Sequence, residues 1–496
     1  MSQDADVAGT GGWLRLDPRM LAVAPVHEVV RFIPLLIAAV IAGGRGDRQW
    51  WLLSALGAVV GLGVLRWVTT RYRVTPQRLE LRSGLLFRQH RSVPRDRIRT
   101  VDVTARPLHR MFRLGVLRIG TGQHERGRNG ELTLDAVSIA EAERLRTALL
   151  DRGTATITPT STAQAPAEEG IELARLSWSW LRFAPLTVLA VGSVGVLFGG
   201  VWQLLDEAGV DVTDIGVVRD AVDWLTGRPV GVVVVATAAV LLATGAIGAV
   251  VLYIEAWWGY RLTREPDGTL RVSRGLLTRR SVSLEERRLR GVEVSEPLLL
   301  RAGRGARLSA LATGSGSGQR GADRSALLPP APRAVAHQVA AAVLHRPATE
   351  PPTTRPLRRH PPAALRRRLV RAVVPAALLV LGLATAAANG ALPSWPAVIV
   401  AAILLPSAVL LALDRYRNLG HAVAGEHLLV RGGSLVRRTV ALRRSGIIGW
   451  RVSRSVFQRA AGVASATAVT AAGAGAYEVR DCDLTAAGGL VSRNHY

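Results

Sequence analysis

A chain of 496 residues that is 49% hydrophobic yet carries a formal net charge of +26 must keep its apolar and basic parts in separate stretches. All 63 basic residues are arginine, so the positive charge persists at any physiological pH. The lone Cys482 excludes an internal disulfide, a cysteine zinc site and a dithiol redox centre.

The first 28 residues read as a polar tail without a cleavable signal. Apolar stretches then come in pairs: 29–44 with 50–68, 181–204 with 230–254, and 369–391 with 395–413. Five of the six approach the roughly 20 residues a helix needs to cross a bilayer; the first, with Arg31 and Pro34 near its start, is marginal. The expected architecture is six membrane helices in three hairpins, at 29–69, 176–256 and 366–414. Between them lie basic modules at 70–152, 257–346 and 415–496, with linkers at 153–175 and 347–365. The link 203–228 carries Asp206, Glu207, Asp211, Asp214, Asp220 and Asp223 against Arg219 and Arg228, while Arg71, Arg73, Arg175, Arg182, Arg261 and Arg264 flank the apolar stretches on the other side. The positive-inside rule puts the N-terminus and all three modules in the cytoplasm.

Each module reads as β-rich. In the first, period-2 alternation predicts strands at 72–74, 78–82, 87–93, 100–104, 116–120 and 132–134, followed by a helix over 140–151 capped by Ser138. The second closes with a helix over 331–345. The third, running through Gly488-Gly489 to its end, reads as too short and glycine-rich for a closing helix, and therefore as a degenerate copy kept for packing. Residues 314–321 read as a flexible hairpin tip, and the Pro/Arg-rich 347–365 as an extended linker.

The copies share a motif. Tyr72-Arg73-x-Thr75, Gly84, Pro107-Leu108, Gly115 and Thr121-Gly122 recur as Tyr260-Arg261-x-Thr263, Gly275, Pro297-Leu298, Gly305 and Thr313-Gly314. The third copy keeps Gly433, Phe457-Gln458-Arg459 and Gly462 but loses the Tyr-Arg-x-Thr. This threefold set resembles the bacterial pleckstrin-homology-like (PH-like) membrane proteins of the YdbS/YdbT type. The resemblance implies, for each module, a seven-stranded, strongly bent sheet capped by a C-terminal helix, in a multi-pass protein of the bacterial plasma membrane. It implies no reaction, and as partner a smaller membrane protein with one hairpin and one PH-like module, or a second copy of the chain.

The candidate contact residues are the arginines of the first strands: Arg71, Arg73, Arg78, Arg82, Arg88 and Arg91, repeated as Arg261, Arg264, Arg271, Arg274, Arg279 and Arg280. Anionic lipid attracts each such charge by about 1 kcal/mol near the leaflet surface, and paired guanidinium forks suit a lipid phosphate. The same arginines are equally read as topology signals and solvated strand faces. His109, His124, His337, His345, His360, His421 and His427 follow no metal-ligand spacing, and those of tails and linkers read as solvated. No nucleophile stands beside a base, so neither catalysis nor a cofactor is expected. Without a recognition helix or an RNA-binding aromatic signature, nucleic acid is not an expected partner either. The expectation is a membrane scaffold or adaptor, with a lipid-handling or transport component as the alternative.

Overall fold

The computed structural model describes residues 13–20, 64–65, 67–75, 77–84, 89–98, 100–120, 131–150, 170–187, 216–314, 318–391 and 393–492, with isolated helical positions at 54, 57, 61, 199 and 203. The chain divides into two compact units, one comprising 1–172, 259–288 and 313–316, the other 173–258, 289–312 and 317–496.

In the first unit, β1 (Leu14–Arg15), β2 (Arg71–Val74), β3 (Arg78–Ser83) and β4 (Gln89–Pro94) form a four-stranded sheet in chain order. Thr75 closes the β2–β3 hairpin, its hydroxyl donating to the Arg78 carbonyl and accepting from the Arg78 N–H. A 3-10 turn at Arg95–Arg97 leads into β5 (Thr100–Ala105), β6 (Leu114–Gly120) and β7 (Glu131–Ser138). Pro107 occupies the first turn of the short helix Pro107–Met111, where its missing N–H costs nothing. The closing helix Ile139–Leu150 starts where expected, with the Ser138 hydroxyl accepting from the Glu141 N–H at 3.2 Å. Its Ala142, Leu145 and Leu149 bury against Tyr72, Leu79, Ile98, Val101, Leu117 and Ile119, a core that both sheets of the module share.

The next strands are β8 (Ile171–Arg175), β9 (Arg261–Arg264), β10 (Thr269–Arg274) and β11 (Arg279–Glu285). The β9–β11 set joins the preceding module, β11 pairing antiparallel with β5 in a sheet of order β7-β6-β5-β11-β10-β9-β8. The second unit repeats the arrangement. Its strands β12 (Leu289–Pro297), β13 (Gly305–Ala312) and β14 (Ala326–Pro332) continue through β17 (Val436–Arg443) into β16 (His427–Gly432) and β15 (Gly420–Ala424). A last sheet holds β18 (Ile447–Ser453), β19 (Val463–Thr470) and β20 (Ala476–Asp483).

Four sequence expectations change. Among the described residues no module forms a seven-stranded sheet of its own: each contributes six strands, split three and three between sheets. The physical reason is the edge. A third strand and a fourth strand each present unpaired N–H and C=O groups, and neighbouring modules satisfy them mutually. The third module does have its closing helix, Leu484–Ser492. Burial of Ala487 and Leu490 against β19 and β20 outweighs the roughly 1 kcal/mol helix penalty of each glycine. The 347–365 linker is packed, with Pro352 and Thr353 buried and Arg358 bridging to His421. The second half of the expected flexible tip, 314–321, is the start of a helix, Gly318–Ser325.

Among the described residues, three helices are long and apolar enough to cross a bilayer: Val230–Trp257, Pro362–Ala388 and Ser394–Arg417. Their lipid-type side chains are exposed, Val235 and Leu242 among them, and Ala376, Ala408 and Ala412 are buried within the last two helices. The expected 29–44 helix and most of 50–68 and 188–204 lie outside the described residues. Residues 181–183 belong to a 3-10 turn, Trp178–Phe183, in which Phe183 is buried, so the expected helix does not start at 181.

Candidate docking edges and an arginine-lined cavity

Third strands in this chain are basic and fourth strands, in the first two modules, are acidic. In the junction between the first two modules, Ser281 lies opposite Val103, Val282 opposite Asp102 and Arg280 opposite Thr104. The closing helix fastens it: Arg146 donates to Glu143 at 2.7 Å, to Glu265 at 2.9 Å and to Ser283 at 3.1 Å, and Arg271 reaches Glu143 at 2.5 Å. Burial alone would raise the Glu265 pKa, but the hydrogen bond and charge of Arg146 hold it below the usual carboxylate value.

The second junction keeps the same register, with Thr439 opposite Val294, Val440 opposite Glu293 and Arg437 opposite Glu296. Glu296, 1% exposed, accepts both arms of the Arg437 fork at 2.7 and 2.8 Å, and Arg333 of the closing helix lies 3.1 Å away. Burial opposes its ionisation, yet the Arg437 hydrogen bond and charge hold the carboxyl below its usual value. Such bidentate, charge-assisted pairs fix register as well as adding energy.

Among the described third and fourth strands, two are left without a cross-module partner. β4 ends the first sheet and β18 ends the last. No residue of either strand is fully buried, whereas Val282, Leu284, Val440, Ala441 and Leu442 in the paired third strands are. Val452 is 48% exposed, against 0% for the equivalent Val294 in the paired fourth strand of the second module, and Ile448 on the same strand is 72% exposed.

A cavity of about 690 Å³ opens in the third module where the chain leaves the helix Ser394–Arg417. It is lined by Arg368, Arg415, Arg431, Arg438, Arg451 and Arg480 against Glu293 and Glu478, with Leu419, Val430 and Val469 among its apolar walls. Arg438 lies 3.5 Å from Glu293, and Arg480 bonds Glu478 at 2.7 Å. Behind it Asp481, 5% exposed, accepts from Arg367, from Arg368 at 3.0 Å and from Gln458 at 2.9 Å. Two arginines at the start of the helix Pro362–Ala388 are thereby tied to β20.

The family described as bacterial PH domain matches residues 21–153, 211–346 and 374–490, together more than half of the chain. The chain belongs to the bacterial PH domain family. It is similar to the UPF0699 transmembrane protein YdbT of Bacillus subtilis (strain 168), with 22% identity over 466 residues and 90% of each chain covered. No solved structure matches it. It is thus a transmembrane protein with repeated bacterial PH domains, as the sequence motif implied.

Within these PH domains the motif residues are structural. Tyr72 and Tyr260 are core residues at 4% and 0% exposure, and Pro107 and Pro297 begin short helices. Thr263 lies in β9. Gly84, Gly275 and Gly433 hold φ near +100° in the turn before the third strand, and a Cβ at Gly275 or Gly433 would strike the carbonyl three residues on. The twelve candidate arginines are not one surface. Arg73 pairs with Glu80 at 2.8 Å and stacks with Arg82 on the Trp13 ring. Arg264 pairs with Glu286, Arg271 fastens the junction, and Arg274 is buried at 8%. Arg71, Arg78, Arg82, Arg261, Arg279 and Arg280 are exposed, Arg91 is half-buried on the open β4 edge, and Arg88 lies outside the described residues. The cavity arginines escaped the sequence reading because they come from six different elements. The one available signal was Arg451 and Arg454, standing where the other fourth strands carry Asp102, Glu293 and Glu296.

The buried histidines correct another expectation. His360, in the expected linker, is buried and not solvated, and the module residues His109, His337, His421 and His427 are buried as well. His337 bonds Thr353 at 2.7 Å, and His421 meets His360 at 3.2 Å. Burial, followed by neighbouring positive charge, pushes His337 and His427 down to about 4; burial and then His360 do the same to His421. Among the described residues no group of three or more His, Cys, Asp or Glu side chains is arranged to hold a metal.

Proposed function

We propose that this chain is a non-enzymatic membrane scaffold or adaptor. Its PH modules lie on the cytoplasmic face and join partner membrane proteins by strand pairing, in support of envelope homeostasis or resistance to membrane-active agents. The observation that carries this is the junction itself: two module contacts with one register, and at each end of the series a strand, β4 or β18, whose junction edge has no partner among the described residues. A smaller membrane protein with one hairpin and one PH module suits such an end. Cross-linking and affinity purification of the full chain from native membranes should recover a PH-module protein, and Val452→Pro in β18 should lose it. A purification that yields no partner under cross-linking removes the reading. Reporter fusions at the N-terminus and after Leu204 test the orientation, and a cytoplasmic signal from the second site would overturn it.

The arginine-lined cavity supports a second reading, capture of an anionic lipid head. Its arginines outnumber its carboxylates six to two, beside the end of a membrane helix. Native mass spectrometry in mixed lipid should then show anionic lipid lost in Arg415→Gln/Arg451→Gln but kept in Arg71→Gln/Arg73→Gln. The opposite pattern would return the site to the first strands.

A further inference from the structure

We infer that the open edge of β18 receives the third strand of a PH module belonging to a different protein, with an acidic side chain opposite Arg451. This rests on the scaffold reading and adds the chemistry of the partner.

The three third-to-fourth strand segments align without gaps, so both internal junctions fix the register that the open ends would keep. Val282 faces Asp102 and Val440 faces Glu293; the same step between copies of this chain sets Arg91 of β4 against Arg451 of β18. Three positions along, where Arg437 meets Glu296 in a two-pronged pair, β18 is followed by Arg454. Like charges directly opposite each other destabilise a ladder, and such juxtapositions suppress wrong partners more than they change right ones. A second copy is therefore the disfavoured occupant. Fourth strands here carry acids when they face this chain's own basic third strands; the last one has reversed its sign, and so fits a third strand of reversed sign. Arg451 has no carboxylate partner among the described residues, and Ile448 and Val452 are exposed along the same edge.

The test needs no purified partner. In the full-length detergent-solubilised chain, Gln89→Glu/Arg91→Glu turns β4 into an acidic third strand, with both changes on the face that would meet Arg451. Light scattering should find the wild type monomeric and this variant self-associating roughly tenfold or more tightly. The register should appear as an intermolecular disulfide between His90→Cys and Val452→Cys, and adding Arg451→Glu should abolish both signals. Wild-type chains that cross-link as readily as the acidic variant would make a second copy the occupant and overturn the inference. So would an acidic variant that gains neither association nor cross-link. If a partner co-purifies from membranes while the acidic variant fails to dock, the edge assignment falls alone. If the variant docks but no partner is recovered, the scaffold reading falls and the charge preference of the edge stands.

Discussion

The closed junctions and the open ends of this molecule are built from equivalent strands, and they differ in burial and in sign. Where β11 meets β5 and β17 meets β12, the apolar residues of the third strand are buried and acids of the fourth strand lie across the ladder from its basic strand. At β4 and β18 the equivalent positions are exposed or half-buried, and both strands are basic. The difference teaches that the structural repeat is offset from the sequence repeat. The hydrophobic core of the first module is built from its own sequence and the chain before it, while hydrogen-bonded ladders run across module boundaries. Stability and docking are thereby separated along one chain.

The sharpest way to break that comparison is at Glu296. Its carboxylate is nearly inaccessible and holds the Arg437 fork, so Glu296→Ala leaves a largely buried guanidinium without its partner. Breaking a buried pair in this way costs about 3–5 kcal/mol. Chemical unfolding of the full chain should show the second unit's transition displaced by that amount, with the first unit's transition unmoved. A loss below about 1 kcal/mol would mean that the ladder, and not the ion pair, holds the junction.

Acid should separate the two junctions. His337, His421 and His427 in the second unit have folded-state values near 4 against an ordinary 6.5. Between these limits the unfolded chain binds more protons than the folded one, so their contribution is complete above pH 6.5 and is lost as pH falls towards 4. Each group loses up to about 2 kcal/mol of its contribution by pH 5. Glu265 in the first junction is depressed below 4.5, so its contribution persists at pH 5 and declines only below about 4.5. Stability measured from pH 7 to 5 should fall in the second unit and hold in the first. His427→Leu, which removes a buried imidazole with no hydrogen-bond partner, should flatten part of the slope. An equal decline in both units would remove the histidines as its cause.

Much of the first module was legible because its signals are local. Period-2 alternation placed β2 to β7 within a few residues, Ser138 marked its helix start, and the glycine turns marked the hairpins. The third helix was misread for an equally physical reason. Gly488 and Gly489 lower local propensity, while the burial that rescues the helix comes from strands earlier in the chain. Strand exchange between modules was also hidden, since alternation says which face is buried but not which edge is paired. The Arg146–Glu265 network joins residues more than a hundred positions apart, beyond the reach of any motif. The reversed sign at Arg451 stood in the repeat alignment, but it acquired meaning only once Asp102 and Glu293 were seen across a ladder from basic strands.

The smallest effect is expected at the open edge, where it says most about function. Arg451→Ala removes a charge with no carboxylate partner among the described residues, and Val452→Ser trims a side chain that is 48% exposed. Neither change creates a cavity or strands a buried group, so each should shift unfolding by no more than about 0.5 kcal/mol. Partner recovery from membranes should nevertheless fall in both variants, because the same atoms become the centre of a ladder once a foreign strand is seated. A loss of stability comparable with that of Glu296→Ala would show that β18 is already covered within its own chain, and would erase the distinction between closed junctions and open ends.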